Sequence, residues 1–316
     1  MKAFVILILS FSLTITVFGQ TAIDSGRPAQ YTLEEQTDSG FTNKGEASNV
    51  MIAGVKEGKW VEYFKEKNNV EFPSKSKHAP LYRLTIYKEG NPKGIQRQYY
   101  KSGKLEGIVF YADGKQNGLA KVYYENGTLR METPFKDGKI HGVKKVYNDS
   151  GALIMTDTNL NGKETGMLIT YYPGKRIKSE YPFRNDTSIK GASISTPYLS
   201  TKGQIDGVCR DYYLNGKIKS EFTFVNGKID GLMKDYYENG IVKSETSFHN
   251  GVLNGANKEY DKNGKIETET PFVYGKITGV VKHYYENGKV RSEATFQENE
   301  VVGTVKIYDE NGHQIN

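Results

Sequence analysis

A glycine returns every 24 residues along most of this chain, and that period constrains the fold more than any other feature. Starting glycines stand at Gly94, Gly118, Gly142 and Gly166, and resume at Gly207, Gly231, Gly255, Gly279 and Gly303. A fixed period of this length marks a repeat architecture in which each copy packs on its neighbours, so chain length reports copy number rather than domain number. Counting the glycine as position 0, position 5 is tyrosine in every copy: Tyr99, Tyr123, Tyr147, Tyr171, Tyr212, Tyr236, Tyr260, Tyr284 and Tyr308.

Each copy reads as a β-hairpin followed by a second turn. In Gly118–His141 the runs Leu119–Tyr124 and Leu129–Phe135 are rich in β-branched and aromatic residues, parted by Glu-Asn-Gly and closed by Lys-Asp-Gly. Only the last glycine of each turn is constant, because Ser102, Ser150 or Tyr274 precedes it in some copies. Glycine alone is therefore expected at positive φ, in three-residue turns ending in a glycine bulge. That register sets position 5 opposite position 11 (Leu129 against Tyr123) and places positions 1, 5, 11, 15 and 17 on one face. Position 17 supplies Phe135, Phe183, Phe224, Phe248, Phe272 and Phe296.

Position 6 turns polar at Asn148, Asp261 and Asp309, whereas position 5 never does. The tyrosine at position 5 is thus expected to be the buried one, and Tyr236→Ala to destabilise more than Tyr237→Ala. A basic column at position 3 (Arg97, Lys121, Lys145, Arg210, Lys234, Lys258, Lys282 and Lys306) falls on the same aromatic face in this register, with stems along the rings. A two-residue type I′ turn would instead set it opposite Glu132, Glu221, Glu245, Glu269 and Glu293. The sequence leaves both registers open.

Residues 1–19 read as a secretory signal: Lys2, then the apolar stretch Ala3–Phe18, then small residues at a cleavage point near Gly19 or Gln20. Residues 20–50 form a polar leader or N-terminal cap, and residues 51–316 the repeat array. Gly58 opens a degenerate first copy, with Tyr63 at position 5 and Leu81–Tyr87 as its second strand. Insertions near 65–80 and 187–202 are read as loops on one side of the array. The chain is expected to be exported, to the periplasm, the outer membrane or the medium, with no transmembrane span in its mature part. The expected fold is all-β: an elongated antiparallel β-hairpin repeat array, one twisted and curved sheet of about ten hairpins and about 95 Å in length at the usual strand spacing.

The pattern Tyr-Tyr-Glu-Asn-Gly-x-Leu/Val, then Glu, Phe and Gly-Lys-x-x-Gly, resembles the MORN-repeat variant of antitoxins of the YwqK type. The resemblance runs from Gly54 to the C-terminus, with departures at Thr156–Asn159 and Tyr172–Lys175. It implies an elongated sheet of hairpins and a protein-binding or immunity role, with no catalytic residues to carry over.

The residues themselves point away from chemistry. The five histidines occupy unrelated repeat positions, without the partners that a metal site or a general base needs. Cys209 is alone, which excludes an internal disulfide, and no glycine-rich phosphate loop leads into a helix. A polysaccharide-cleaving enzyme would need paired carboxylates with raised pKa, and the glutamates at position 14 stand among lysines instead. No catalytic, cofactor-binding or metal site is expected, and no cofactor. The net charge of +6 is spread along the chain, and the glutamate column offsets the basic one, which argues against a nucleic-acid surface. The expected function is that of an exported, non-catalytic binding or scaffold surface. Its partner is expected to be a protein, with an envelope polysaccharide or an anionic surface as secondary readings. The alternative is an immunity protein that neutralises a cognate toxin.

Overall fold

Strand pairing follows chain order. Val55–Phe64 pairs with Leu81–Lys88, which pairs with Asn91–Tyr99, then Leu105–Ala112, and so on to Val290–Gln297 and Lys306–Ile307, always antiparallel. The result is one open sheet, a meander of hairpins, as the 24-residue period predicts. Val50–Ile52 adds a short edge against Val55–Glu57. The computed structural model describes residues 40–64, 81–184 and 204–316, which fall within one compact body, Leu33–Asn316. Their one helical piece is the 3-10 turn Lys44–Glu46. The signal segment, the leader up to residue 39 and both insertions lie outside the described residues.

The two turns of each unit differ, and only the first is of the expected kind. At the first turn the amide of position 6 donates to the carbonyl of position 10, as Tyr124 does to Thr128 at 2.8 Å. In that loop Gly127 alone has positive φ, at 91°. The second turn is instead a two-residue type I′ turn, with Lys136 paired to Lys139 across Asp137 (φ 51°) and Gly138 (φ 79°). Even Tyr274 takes φ 49° there. The twist of a type I′ turn matches that of the flanking strands, and this outweighs the strain of a tyrosine in the left-handed region.

A bulge in the second strand corrects the expected faces. Tyr123 does pair with Leu129, but Val122 already pairs with Met131, so Arg130 is the extra residue. Beyond the bulge Lys121 faces Glu132 and Gly118 faces Phe135. The same shift recurs from Tyr99↔Leu105 to Tyr284↔Val290. Positions 1, 3, 5, 11, 14 and 16 therefore share one face, hereafter the tyrosine face. Positions 2, 4, 13, 15 and 17 share the other, the phenylalanine face. The sequence-based grouping of positions 15 and 17 with the tyrosines fails because one extra residue exchanges the faces.

The repeating glycine at position 0 sits where the chain leaves one hairpin for the next. Gly279 has φ 123°, and a Cβ there would lie 2.9 Å from Pro271 Cγ of the preceding unit. Both the backbone angle and the approach of the neighbouring strand exclude a side chain.

The largest buried cluster among the described residues lies in the middle of the array. On the phenylalanine face Val146, Met155, Leu168, Phe183, Ile205 and Cys209 pack into one cluster. At the N-terminal end residues 40–47 cover the tyrosine face: Phe41 is fully buried beside Leu84 and Tyr99, and its carbonyl accepts from Arg97 at 3.1 Å. Residues 40–47 thus cover the first strands of the array. At the other end the chain folds back on its last strand. The Ile315 amide donates to the Ile307 carbonyl at 2.9 Å, and Asn316 Oδ1 accepts from the Ile307 amide at 2.6 Å. This covers the sheet edge with a polar segment.

Candidate functional site

The basic and tyrosine columns come together with the glutamates of position 14, and they bind one another. Most of these glutamates lie between the basic residue of their own unit and that of the next: Glu221 pairs with Arg210 and Lys234, Glu245 with Lys234 and Lys258, while Glu180 faces Ile169 and Arg210. Ion pairs follow this row, at 2.6 Å for Arg210–Glu221, 2.8 Å for Lys234–Glu245 and 2.9 Å for Lys306–Glu293. The position-5 hydroxyl donates to the glutamate of the preceding unit: Tyr147 to Glu132, Tyr212 to Glu180, Tyr260 to Glu245, Tyr284 to Glu269 and Tyr308 to Glu293, at 2.7–3.1 Å. Where Thr156 replaces the glutamate, its hydroxyl meets Tyr171 at 3.1 Å. Of the first two basic residues, Arg97 is buried under the N-terminal cap, and Lys121 lies opposite Glu132.

The electrostatics follow from these contacts. Burial first, then the neighbouring carboxylate, pushes Tyr147 and Tyr212 up to about 12. Hydrogen bonds from Lys234 and then Tyr260 hold Glu245 below the usual carboxylate range, and Lys306 and Tyr308 do the same for Glu293. The columns singled out in the sequence therefore act first as lateral stitching between hairpins.

The position-6 tyrosines carry a second set of stitches that sequence reasoning misses. All six (Tyr100, Tyr124, Tyr172, Tyr213, Tyr237 and Tyr285) donate to the main-chain carbonyl of the next unit's position-5 tyrosine, at 2.6–3.0 Å. Where position 6 is Asn148, Asp261 or Asp309, the side chain caps its own turn instead, as Asp261 Oδ1 does by accepting from the amides of Asn263 and Lys265. Tyr236 and Tyr237 are both half-buried, so burial does not separate them as expected. The signal in the sequence is the exchange of tyrosine for a turn-capping Asn or Asp, which marks an alternative hydrogen-bonding role rather than exposure.

Two features take no part in this stitching. On the tyrosine face, position 1 forms an apolar stripe: Val143, Val208, Leu232 and Val280 are 44%, 41%, 45% and 40% exposed. Pro134, Pro182 and Pro271 at position 16 flank it. On the phenylalanine face, the units from Gly207 onward set Phe224, Phe248, Phe272 and Phe296 beside a row of carboxylates and hydroxyls. Ser220 and Ser244 both donate to Asp235, at 2.5 and 3.2 Å, and Thr268 donates to Glu259 at 3.3 Å.

Among the described residues no three of His, Cys, Asp and Glu converge as metal ligands would. Cys209 is fully buried, and burial followed by Asp211 pushes its thiol up to about 12, so it packs as a small apolar side chain. No helix among the described residues is long and apolar enough to cross a membrane.

No curated protein matches this chain. The solved structure described as the crystal structure of TcdB2-TccC3-Cdc42 is similar at 14% identity over 72% of this chain and 14% of that one. The TM-score of 0.16 gives that likeness no weight. The family model of the MORN repeat variant matches residues 92–113, 116–137, 205–226, 229–250, 253–274 and 277–298. Six of the hairpin units in this sheet therefore match the MORN repeat variant.

Proposed function

We propose that this is an exported, non-catalytic repeat protein that serves as a binding and scaffold surface for a protein partner, through its tyrosine face. The observation that carries the reading is the stripe of Val143, Val208, Leu232 and Val280, which stays 40–45% exposed while the charged rows beside it are neutralised pairwise. Periodic apolar side chains rimmed by polar ones are the surface from which protein interfaces are made. Repetition adds avidity, because a partner that engages one unit finds the same contact one unit further along.

The test is capture with the mature chain, compared with Val208→Asp, Leu232→Asp and Val280→Asp combined. Cross-links from the captured protein are expected at the tyrosine face, and capture is expected to fail in the variant. Capture unchanged by the three aspartates would overturn the reading. Export rests on the composition of residues 1–19; N-terminal sequencing of the mature protein from envelope or medium is expected to begin at Gln20 or Thr21. Neutralisation of a cognate toxin would use the same face, and would be told apart by a captured protein whose toxicity this chain abolishes.

A further inference from the structure

Eleven Asn-Gly steps recur along the array. Such a step is chemically weak, because glycine puts no side chain in the way when its main-chain nitrogen approaches the asparagine Cγ. The fold treats these steps unequally. In the first turns Asn126, Asn215, Asn239 and Asn287 are tied at both ends of the side-chain amide. Each Oδ1 accepts from the main-chain amide two residues on, at 2.8–3.0 Å. Each Nδ2 donates to a carbonyl in the turn of the next unit, at 2.9–3.2 Å. The amides of Gly127, Gly216, Gly240 and Gly288 are engaged too, donating within their own turns at 2.8–2.9 Å.

The second turns use a different restraint. Gly162 donates to the Ile140 carbonyl and Gly251 to the Ile229 carbonyl, both at 2.7 Å, so each turn is pinned to the unit before it. The side chains are also held: Asn161 Oδ1 meets His141 Nδ1 at 3.2 Å, and Asn250 Nδ2 meets His249 Nε2 at 3.0 Å. Elsewhere Gly264 and Gly312 donate within their turns at 3.0 Å, while Gly118 and Gly255 lie in strands opposite Phe135 and Phe272. Asn226–Gly227 has neither kind of restraint. The Asn226 side chain is exposed and has no hydrogen-bond partner among the described residues. The Gly227 amide is buried and donates to none of them; by the spacing of the other second turns its acceptor would be the Ile205 carbonyl, and that bond is missing. A buried N–H without an acceptor favours opening of the turn that buries it.

We propose that Asn226 is a self-modification site, where the protein deamidates to aspartate and isoaspartate while the other Asn-Gly steps are held back by their hydrogen bonds. When the turn opens, the Gly227 nitrogen loses its proton to solvent base and attacks Asn226 Cγ. The new N–C bond forms, the Cγ–Nδ2 bond breaks, and Nδ2 takes up a proton and leaves as ammonia. Water then adds to the cyclic imide: opening at Cγ gives aspartate, and opening at the main-chain carbonyl gives isoaspartate. No electrons are transferred. Isoaspartate lengthens the main chain between Val225 and Lys228, the pair that closes this turn, and places a carboxylate on the exposed edge of the sheet.

Peptide mapping by mass spectrometry, with fragmentation that separates aspartate from isoaspartate, tests this on the full mature chain held at mildly alkaline pH. Asn226 is expected to convert about fivefold to thirtyfold faster than Asn161, Asn215 or Asn250, since one or two hydrogen bonds must break first at each of those. In concentrated urea, where every turn is open, the sites are expected to convert at similar rates. Asn226→Gln is expected to remove the fastest-forming isoaspartate and leave the other sites unchanged. The proposal is overturned if Asn226 converts no faster than Asn161 and Asn250 in the folded protein, or if its advantage persists in urea, which would assign it to local sequence and not to the missing bonds.

Discussion

Two neighbouring tyrosines, Tyr236 and Tyr237, show how a repeat position acquires its role. The Tyr237 hydroxyl donates to the Tyr260 carbonyl at 2.8 Å, a bond from one unit to the next. Tyr237→Phe is therefore expected to cost about 1 kcal/mol, read from urea unfolding, while Tyr236→Phe stays within a few tenths of that of the parent. Position 5 is legible as a structural column because it never varies, but its partners are not, since they sit in adjacent units. The glutamates carry a pH dependence of definite sign. Glu245 and Glu293 are held low by their lysine and tyrosine partners, so they add stability above the ordinary carboxylate range and lose it as pH falls through their lowered values. Tyr147 and Tyr212, pushed up to about 12, add stability below the ordinary tyrosine value and lose it as pH rises towards 12. The unfolding midpoint is expected to be flat near neutrality and to fall below about pH 4 and above about pH 10. Glu245→Gln with Glu293→Gln is expected to flatten the acid limb.

At the scale of the hairpin, glycines that look alike in sequence carry different loads. Gly279 needs positive φ and also the space beside Pro271, whereas a Cβ added at Gly288 in the first turn would meet nothing within 4 Å. Gly288→Ala is expected to cost about 1–2 kcal/mol for the left-handed backbone alone, and Gly279→Ala clearly more. Tyr274 is 79% exposed at φ 49° in a type I′ turn, where other units use Asn226 or Asn250. Tyr274→Asn is expected to stabilise by about 0.5–1 kcal/mol, because asparagine tolerates that region. The recurrent glycine of this turn reveals its place but not its type, since one unfavourable residue, Tyr274, argues against a positive φ that the turn adopts all the same. The bulge at position 12 is invisible for a related reason. Nothing in Arg130 or Lys219 marks a residue without a strand partner; the bulge arises from fitting a three-residue turn to a ladder that pairs lysine with glutamate.

For the array as a whole, the period alone is enough to specify a linear sheet of hairpins, because stacking like on like is how a thin repeat unit buries its faces. What the period does not specify is the division of labour between the faces, which depends on that single bulged residue in each unit. The central claim is that every unit holds the next through the same contacts, so that one unit can be removed and its neighbours rejoined: Tyr213 would then donate to the Tyr260 carbonyl and Glu221 would meet Lys258. Excision of residues 231–254, compared with excision of residues 231–242, tests this by circular dichroism and urea unfolding. The 24-residue excision is predicted to leave a folded β protein with one cooperative transition at a modestly lower midpoint, and the half-unit excision to abolish it. Loss of the fold on removing the full unit, or equal tolerance of both excisions, would contradict the account.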